Sequence, residues 1–263
     1  MKDKKSLSIS TCFDYSIPIE KQMPLIAKAG FTHVSLGMNR SHFDYLSKES
    51  RQKLAELLSR YSLKIDTIHG PVTDNTSIEE FKEIAKASVE FNAPVVVLHS
   101  SIPDFGENEL NSRFLELKKA CRVLDIISQN TGITFALENL IPGPATELVR
   151  KTLLELDSKY IGFCYDSSHD QIKGPRSFEL LQELKSKLVA VHLSDRVKEF
   201  VDHVIPWEGF VDWDELCRIL KDSNVTFPLL LEVMTTHSAE KDPVKFLTLA
   251  YERGCRLYDK IFT

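Results

Sequence analysis

The chain has 263 residues, of which 43% are hydrophobic and 27% charged, with a formal net charge of -5. That supplies a sizeable core at a length normal for one closed α/β barrel of about 250 residues. The mild acidic balance argues against broad, nonspecific nucleic-acid binding, and no apolar stretch approaches the roughly 20 residues that cross a bilayer. The start, MKDKKSLSIST, has basic residues but no apolar run behind them, so a cytoplasmic location and no membrane partner are expected. Cys12, Cys121, Cys164, Cys217 and Cys255 are scattered, with no CxxC pair. They read as reduced, mostly buried thiols, with Cys164 inside a barrel.

In chain order, residues 6–12 read as a strand, and Pro18 opens a helix that Gly30 ends. FTHVSLG at 31–37 is a second strand, followed by a helix over 50–60 and the strand LKIDTIHG at 63–70. Thr76 or Ser77 caps the next helix, with Glu79 and Glu80 near its start, and Pro94 begins the strand PVVVLHS. A helix over about 108–129 leads to GITFALEN, and one over 146–156 leads to YIGFCYD. A helix over 176–186 precedes KLVAVHLSD, Asp212 caps a helix to about Leu220, and TFPLLLEV precedes a last helix over 243–258. These are eight strand-helix units of largely apolar strands, as expected when helices cover a parallel sheet. No GxGxxG or GxxxxGK segment follows a strand, which removes the support for a nucleotide-binding open sheet. The expected architecture is a single-domain α/β chain, a (β/α)8 TIM barrel over residues 1–263.

Six of the strands end on a metal-ligand type of residue: His69, His99, Glu138, Asp166, His192 and Glu232. Parallel strands point their C-terminal ends to one face, where such barrels carry their sites, and His, Asp and Glu suit a hard or borderline divalent cation. His169, in DSSH beside Asp166, and His203, in the long excursion DHVIPWEG after the seventh strand, join this set. His33 lies inside a strand and has no role; His42 and His237 lie in loops and are candidates for substrate contact.

GFCYDSSHD at 162–170, HLSD at 192–195, DHVIPWEGFVDW at 202–213 and LEN at 137–139 together resemble the endonuclease IV/xylose isomerase-like TIM-barrel superfamily, often named sugar phosphate isomerases/epimerases. The resemblance covers nearly the whole chain. In an endonuclease IV-like arrangement it implies one metal on His69, His99 and Glu138, and a second on Glu138, Asp166, His192 and Glu232. His169 and His203 match two ligands of a third, but the expected aspartate is Val201, with Asp202 adjacent and pointing the other way in an extended segment. One or two ions are therefore expected.

The epimerase-like members imply a single ion, Mn²⁺ or Zn²⁺ first and Mg²⁺ or Co²⁺ as alternatives, on Glu138, Asp166, His192 and Glu232. Glu138 and Glu232 are then the catalytic acid-base pair, and His169 binds substrate. An arginine is expected six residues after the metal-binding histidine; Lys198 stands there, with Arg196 two residues earlier, and both are substrate-binding candidates. Trp207 either walls off the pocket and stacks on the sugar or anchors packing.

The first reading is a divalent-metal-dependent isomerase or epimerase of a small sugar, sugar phosphate or polyol, with proton transfer through a metal-stabilised ene-diolate. The alternative is an endonuclease IV-like phosphodiesterase acting on abasic DNA, for which the His69 and His99 pair argues. Against it stands GMNRSHFDYL at 37–46, which has one arginine and is no basic intercalating loop. Carbohydrate is the expected partner, nucleic acid only under the alternative, and a homo-oligomer fits the superfamily.

Overall fold

The computed structural model describes residues 5–101, 105–172, 174–198, 202–223 and 225–263. Eight strands, β1 (Leu7–Ser10), β2 (His33–Leu36), β3 (Lys64–Val72), β4 (Val95–His99), β5 (Thr134–Glu138), β6 (Ile161–Asp166), β7 (Leu188–Leu193) and β8 (Leu229–Leu231), close into a barrel in sequence order. Every neighbouring pair is parallel, including β8 with β1. The helices are α1 (Ile19–Ala29), α2 (Lys48–Tyr61), α3 (Ile78–Phe91), α4 (Leu110–Thr131), α5 (Pro144–Glu155), α6 (Ser167–Asp170), α7 (Glu179–Leu184), α8 (Trp213–Asp222) and α9 (Pro243–Phe262). The (β/α)8 expectation holds, and no helix is long and apolar enough to cross a membrane among the described residues.

The helix ends follow local chemistry. Of the two candidates before α3, Ser77 is the cap, its side chain accepting from the Glu80 amide. Asp212 accepts from the amides of Asp214 and Glu215 to start α8. Gly30 ends α1 at φ 112°, a left-handed conformation that costs glycine nothing. α7 is shorter than the 176–186 expectation, because residues after Leu184 tighten into a 3-10 turn before β7.

Alternation along each strand separates two apolar regions. Leu7, Ile9, Val96, Leu98, Phe135, Leu137, Phe163 and Leu193 face the helices as part of the main core. Val95, Val97, Ala136, Cys164 and Ala190 form a separate cluster filling the lumen, with buried Ser8, Ser10 and Ser35 on the β1–β2 side. Small lumen residues let the barrel close without a void and leave its C-terminal mouth to larger polar side chains. Cys164 is thus an interior residue, its thiol pushed up to about 12 by burial.

Gly162 lies in this lumen layer, paired with Ala136 across β5 and β6. A Cβ there would stand 2.5 Å from Val189 Cγ2 and 3.0 Å from the Lys187 carbonyl oxygen. Gly162→Ala should lower the unfolding free energy by about 1–3 kcal/mol in urea titration, as overpacking does; an unchanged midpoint would show that the lumen has room at this level.

Candidate metal centre

The strand register sets the level at which each side chain emerges. His99 pairs with Glu138 across β4 and β5, and Asp166 with His192 across β6 and β7. Glu232 follows β8 directly, and His69 sits one strand from His99. All six residues therefore reach the same mouth of the barrel, His69 from within β3 at the register shift before Val72.

Glu138 is fully buried and stands among the imidazoles. Its Oε2 lies 3.2 Å from His69 Nε2 and 3.4 Å from His99 Nε2, and its Oε1 lies 3.0 Å from His192 Nδ1. His192 Nδ1 is also 2.8 Å from Glu232 Oε2, so one ring nitrogen bridges two carboxylates. Asp166 uses Oδ1 to accept from the His169 amide at 2.7 Å and from Ser168 Oγ at 3.0 Å, capping α6. Asn139 ties β5 to β6, donating from Nδ2 to the Asp166 carbonyl and accepting from its amide, both at 2.9 Å. His169 Nδ1 lies 3.1 Å from the Asn139 carbonyl and His203 Nδ1 3.1 Å from that of Glu232. In the neutral rings these contacts put the proton on Nδ1 and make Nε2 the ligand nitrogen.

Burial alone would raise the carboxylates and lower the histidines. For Glu138 the burial effect is overcome by the His192 charge and by hydrogen bonds from His192, His69 and His99, which hold it well below the usual carboxylate range. Burial is likewise overcome at Glu232, which His192 holds down to about 2. His69 is raised against burial by Glu138, and His169 by the Asp166 and Glu138 charges. His192 is raised well above its ordinary value, again against burial, by its surroundings of Cys164, Glu232 and Glu138. At His99 burial wins, and the ring is lowered.

Within the site, Asp166 Oδ2 and His192 Nε2 are buried with no hydrogen-bond partner among the described residues, and Glu138 Oε2 has only its 3.2 and 3.4 Å contacts with His69 and His99. Unpaired buried carboxylate oxygens are costly, and a cation satisfies them. Ligand atoms of Glu138, Asp166, His192 and Glu232 all lie within 4.8 Å of one another, as do those of His69, His99 and Glu138. Ligands held about 2.0–2.3 Å from one ion are separated by such distances. The donor set therefore fits a divalent cation shared by Glu138, Asp166, His192 and Glu232, with His69 and His99 able to hold a second.

The third cluster differs from expectation in its carboxylate. His169 and His203 come within 4.8 Å of Asp166 rather than of Asp202. Asp202 turns away, its Oδ2 2.9 Å from Arg196 Nη2, and its carbonyl 2.7 Å from His237 Nδ1. Val201 lies outside the described residues.

The xylose isomerase-like TIM barrel family matches this chain over residues 23–249. The chain belongs to that family. Over 132 residues this family member is 27% identical to an inosose dehydratase of Clostridium perfringens, a match covering 44% of this chain and 42% of the dehydratase. Among solved structures, the IolI protein with a bound zinc atom shares the fold at a TM-score of 0.78 and 17% identity, covering 98% of this chain and 99% of that one. A D-tagatose 3-epimerase-like protein does so at 0.77 and 19%, covering 97% and 98%.

The mouth encloses a cavity of about 160 Å³, whose floor and wall include His69, His99, Glu138, His169, His203 and Glu232. Asp166 and His192 lie beneath it, fully buried. Cys12, Tyr15, Met38 and Met234 complete the wall. None of these four carries a sequence signal, because a tyrosine or methionine after a strand reads the same as core.

Three expected substrate contacts lie outside the wall of this cavity. Arg196 is 1% exposed and spends its guanidinium on the Ser168 carbonyl (2.6 Å) and Asp202, so it braces the loop. Lys198 is exposed and absent from the cavity wall. Trp207 packs on Trp213, ring centres 5.6 Å apart, with the Arg256 guanidinium 4.0 Å over its ring, which is the packing-anchor alternative. His42 packs on Tyr15 and contacts the Ile17 carbonyl, and His33 lines a cavity at the opposite, N-terminal end.

Asp195 organises the 202–213 excursion, a role the sequence reading missed. Its Oδ1 accepts from the Arg196 and Val211 amides and its Oδ2 from the Trp207 amide and Trp213 Nε1, at 2.8–3.0 Å. Gly209 is needed here, since a Cβ would stand 2.1 Å from the Arg196 carbonyl oxygen. This packing holds His203 at φ 51° over the cavity.

In the ion-free protein His69, His169 and His192 retain protons above the ordinary histidine range, so a cation has to displace them. Affinity for Mn²⁺ or Zn²⁺ should therefore rise with pH from about 6 to 8. Calorimetry in buffers of different ionisation enthalpy should show proton release, and pH-independent binding without release would contradict the site.

Proposed function

We propose that this protein is a divalent-metal-dependent isomerase or epimerase of a small sugar or related polyol. The observation that carries the reading is the pair Glu138 and Glu232. Both line the cavity, both flank His192 Nδ1, and both are held ionised at neutral pH. Two carboxylates beside one cation site match proton removal from a carbon next to a carbonyl and proton return to another face. The named activities of the relatives, inosose dehydratase and D-tagatose 3-epimerase-like, fall in the same carbohydrate chemistry.

When bound, the cation would polarise the substrate carbonyl and steady the negative charge of the ene-diolate. The protein's own groups do the rest. Glu232 would take the carbon-bound proton as base; Glu138, after taking up a proton from His69 Nε2 3.2 Å away, would return one to the carbon, and exchange with solvent would reset both groups. Asp166 and His192 act as ligands, and Asn139 fixes the Asp166 backbone and the His169 ring. His169 and His203 present Nε2 to substrate hydroxyls. The six ligand-type residues, with Mn²⁺ or Zn²⁺ as the preferred ion, complete the assignment.

A second reading has one observation in its favour: His69, His99 and Glu138 converge as a further ion site, which a one-metal epimerase does not need. An abasic-site phosphodiesterase would use it. Arg40, the arginine of the 37–46 segment, is paired with Asp44 and Glu80, which weakens that loop as a DNA contact. Cleavage of an abasic duplex with strong salt dependence would establish this reading.

In D₂O, the metal-loaded protein should exchange the hydrogen on the carbon next to the carbonyl of its sugar, read by proton NMR. Glu138→Gln and Glu232→Gln should each lower kcat by about 10²–10⁴. Exchange that survives both substitutions would remove the acid-base pair from the mechanism.

A further inference from the structure

We infer that the substrate is an uncharged, monosaccharide-sized carbonyl compound, and not its phosphate ester; this rests on the isomerase or epimerase reading of the same site. Among the described residues, the cavity wall contains neither lysine nor arginine. Of the cations nearby in sequence, Lys198 is exposed outside the wall, Lys173 lies outside the described residues, and three are engaged elsewhere. Arg196 is buried against Ser168 and Asp202, Arg40 pairs with Asp44 and Glu80, and Lys241 Nζ donates to the carbonyls of Thr235 and Thr236. A phosphate entering this cavity would lose hydration without gaining a charged partner, which is strongly unfavourable.

Charge points the same way. Glu138, Asp166 and Glu232 bring three carboxylates to one locus, so a single divalent cation leaves it net negative. A dianionic ester would then be repelled inside a partly buried site, where screening is weak. Size agrees as well. The cavity of about 160 Å³ falls below the 300–1,000 Å³ range that takes drug-sized ligands, which favours a small one. Its lining suits an unmodified polyol. Met38, Met234 and the Tyr15 ring form an apolar wall for C–H groups, facing imidazoles that meet hydroxyls.

The test uses the metal-loaded full chain with ketopentoses and ketohexoses and the terminal phosphate esters of the same sugars. Solvent-deuterium exchange should give kcat/KM for a free sugar at least about tenfold above its ester. An ester turned over as well as or better than its free sugar would overturn the inference while leaving the isomerase reading intact. Calorimetry with a free pentitol and its phosphate reads the same preference without turnover. Tighter binding of the free pentitol, with no exchange of any sugar, would uphold the charge and size argument and sink the isomerase reading. Tighter binding of the phosphate would overturn the inference even in a protein that exchanges nothing.

Discussion

A carboxylate with no exposed surface has to be neutralised, and the rest of the site is arranged around that requirement at Glu138. The side chain sits on the last residue of β5 with Oε1 against His192 and Oε2 against His69 and His99. Asp166 and Glu232 add two more negative charges beside it. Three buried carboxylates at one locus would expel one another or take up protons unless positive charge is supplied. His192 supplies part of it, held well above its ordinary value between Glu138 and Glu232. Asp166 Oδ2 has no hydrogen-bond partner and Glu138 Oε2 only its longer contacts with His69 and His99, and a divalent cation is the group that satisfies both.

The barrel makes this arrangement possible by dividing its labour between two ends. The lumen below the site is filled by valine, alanine, cysteine and serine, with Asp66 and Thr67 hydrogen-bonded to Ser8 and Ser35. Register then lifts His99 with Glu138 and Asp166 with His192 to matched heights at the mouth. Above them, Asp195 accepts from backbone amides of the 202–213 excursion, and Arg196 ties its Asp202 side chain to the Ser168 carbonyl, which together hold His203 over the cavity. Rigid strands carry the ligands and a braced loop carries the cover, a division that preorganises a catalytic pocket.

The six strand-end residues were legible in the sequence because residue type and position agree: an apolar run buried by the barrel, ended by an ionisable group, has few structural excuses. Cap residues such as Ser77 and Asp212 were legible for the same local reason. Arg196, Lys198 and Trp207 do not line the cavity. An offset from a known histidine fixes where a residue sits along the chain but not where its side chain points. In a loop with positive φ at both His203 and Trp207, extended-strand geometry is no guide. Asp166 was legible beside His169 in DSSH, but its meeting with His203 depends on the fold of the 202–213 excursion. Tyr15, Met38 and Met234 were invisible because their types are those of ordinary core, and only the closed barrel brings residues 12–38 beside residue 234.

Metal content per chain, measured on protein purified without chelator or metal-affinity tag, tests the central claim most directly. The account predicts a tightly held divalent ion that disappears in Asp166→Asn and in Glu232→Gln, while His99→Ala keeps it and loses only any further occupancy. A folded protein that carries no ion and takes up none from added Mn²⁺ or Zn²⁺ would contradict the account. So would an ion that survives both carboxylate substitutions and leaves with His99→Ala.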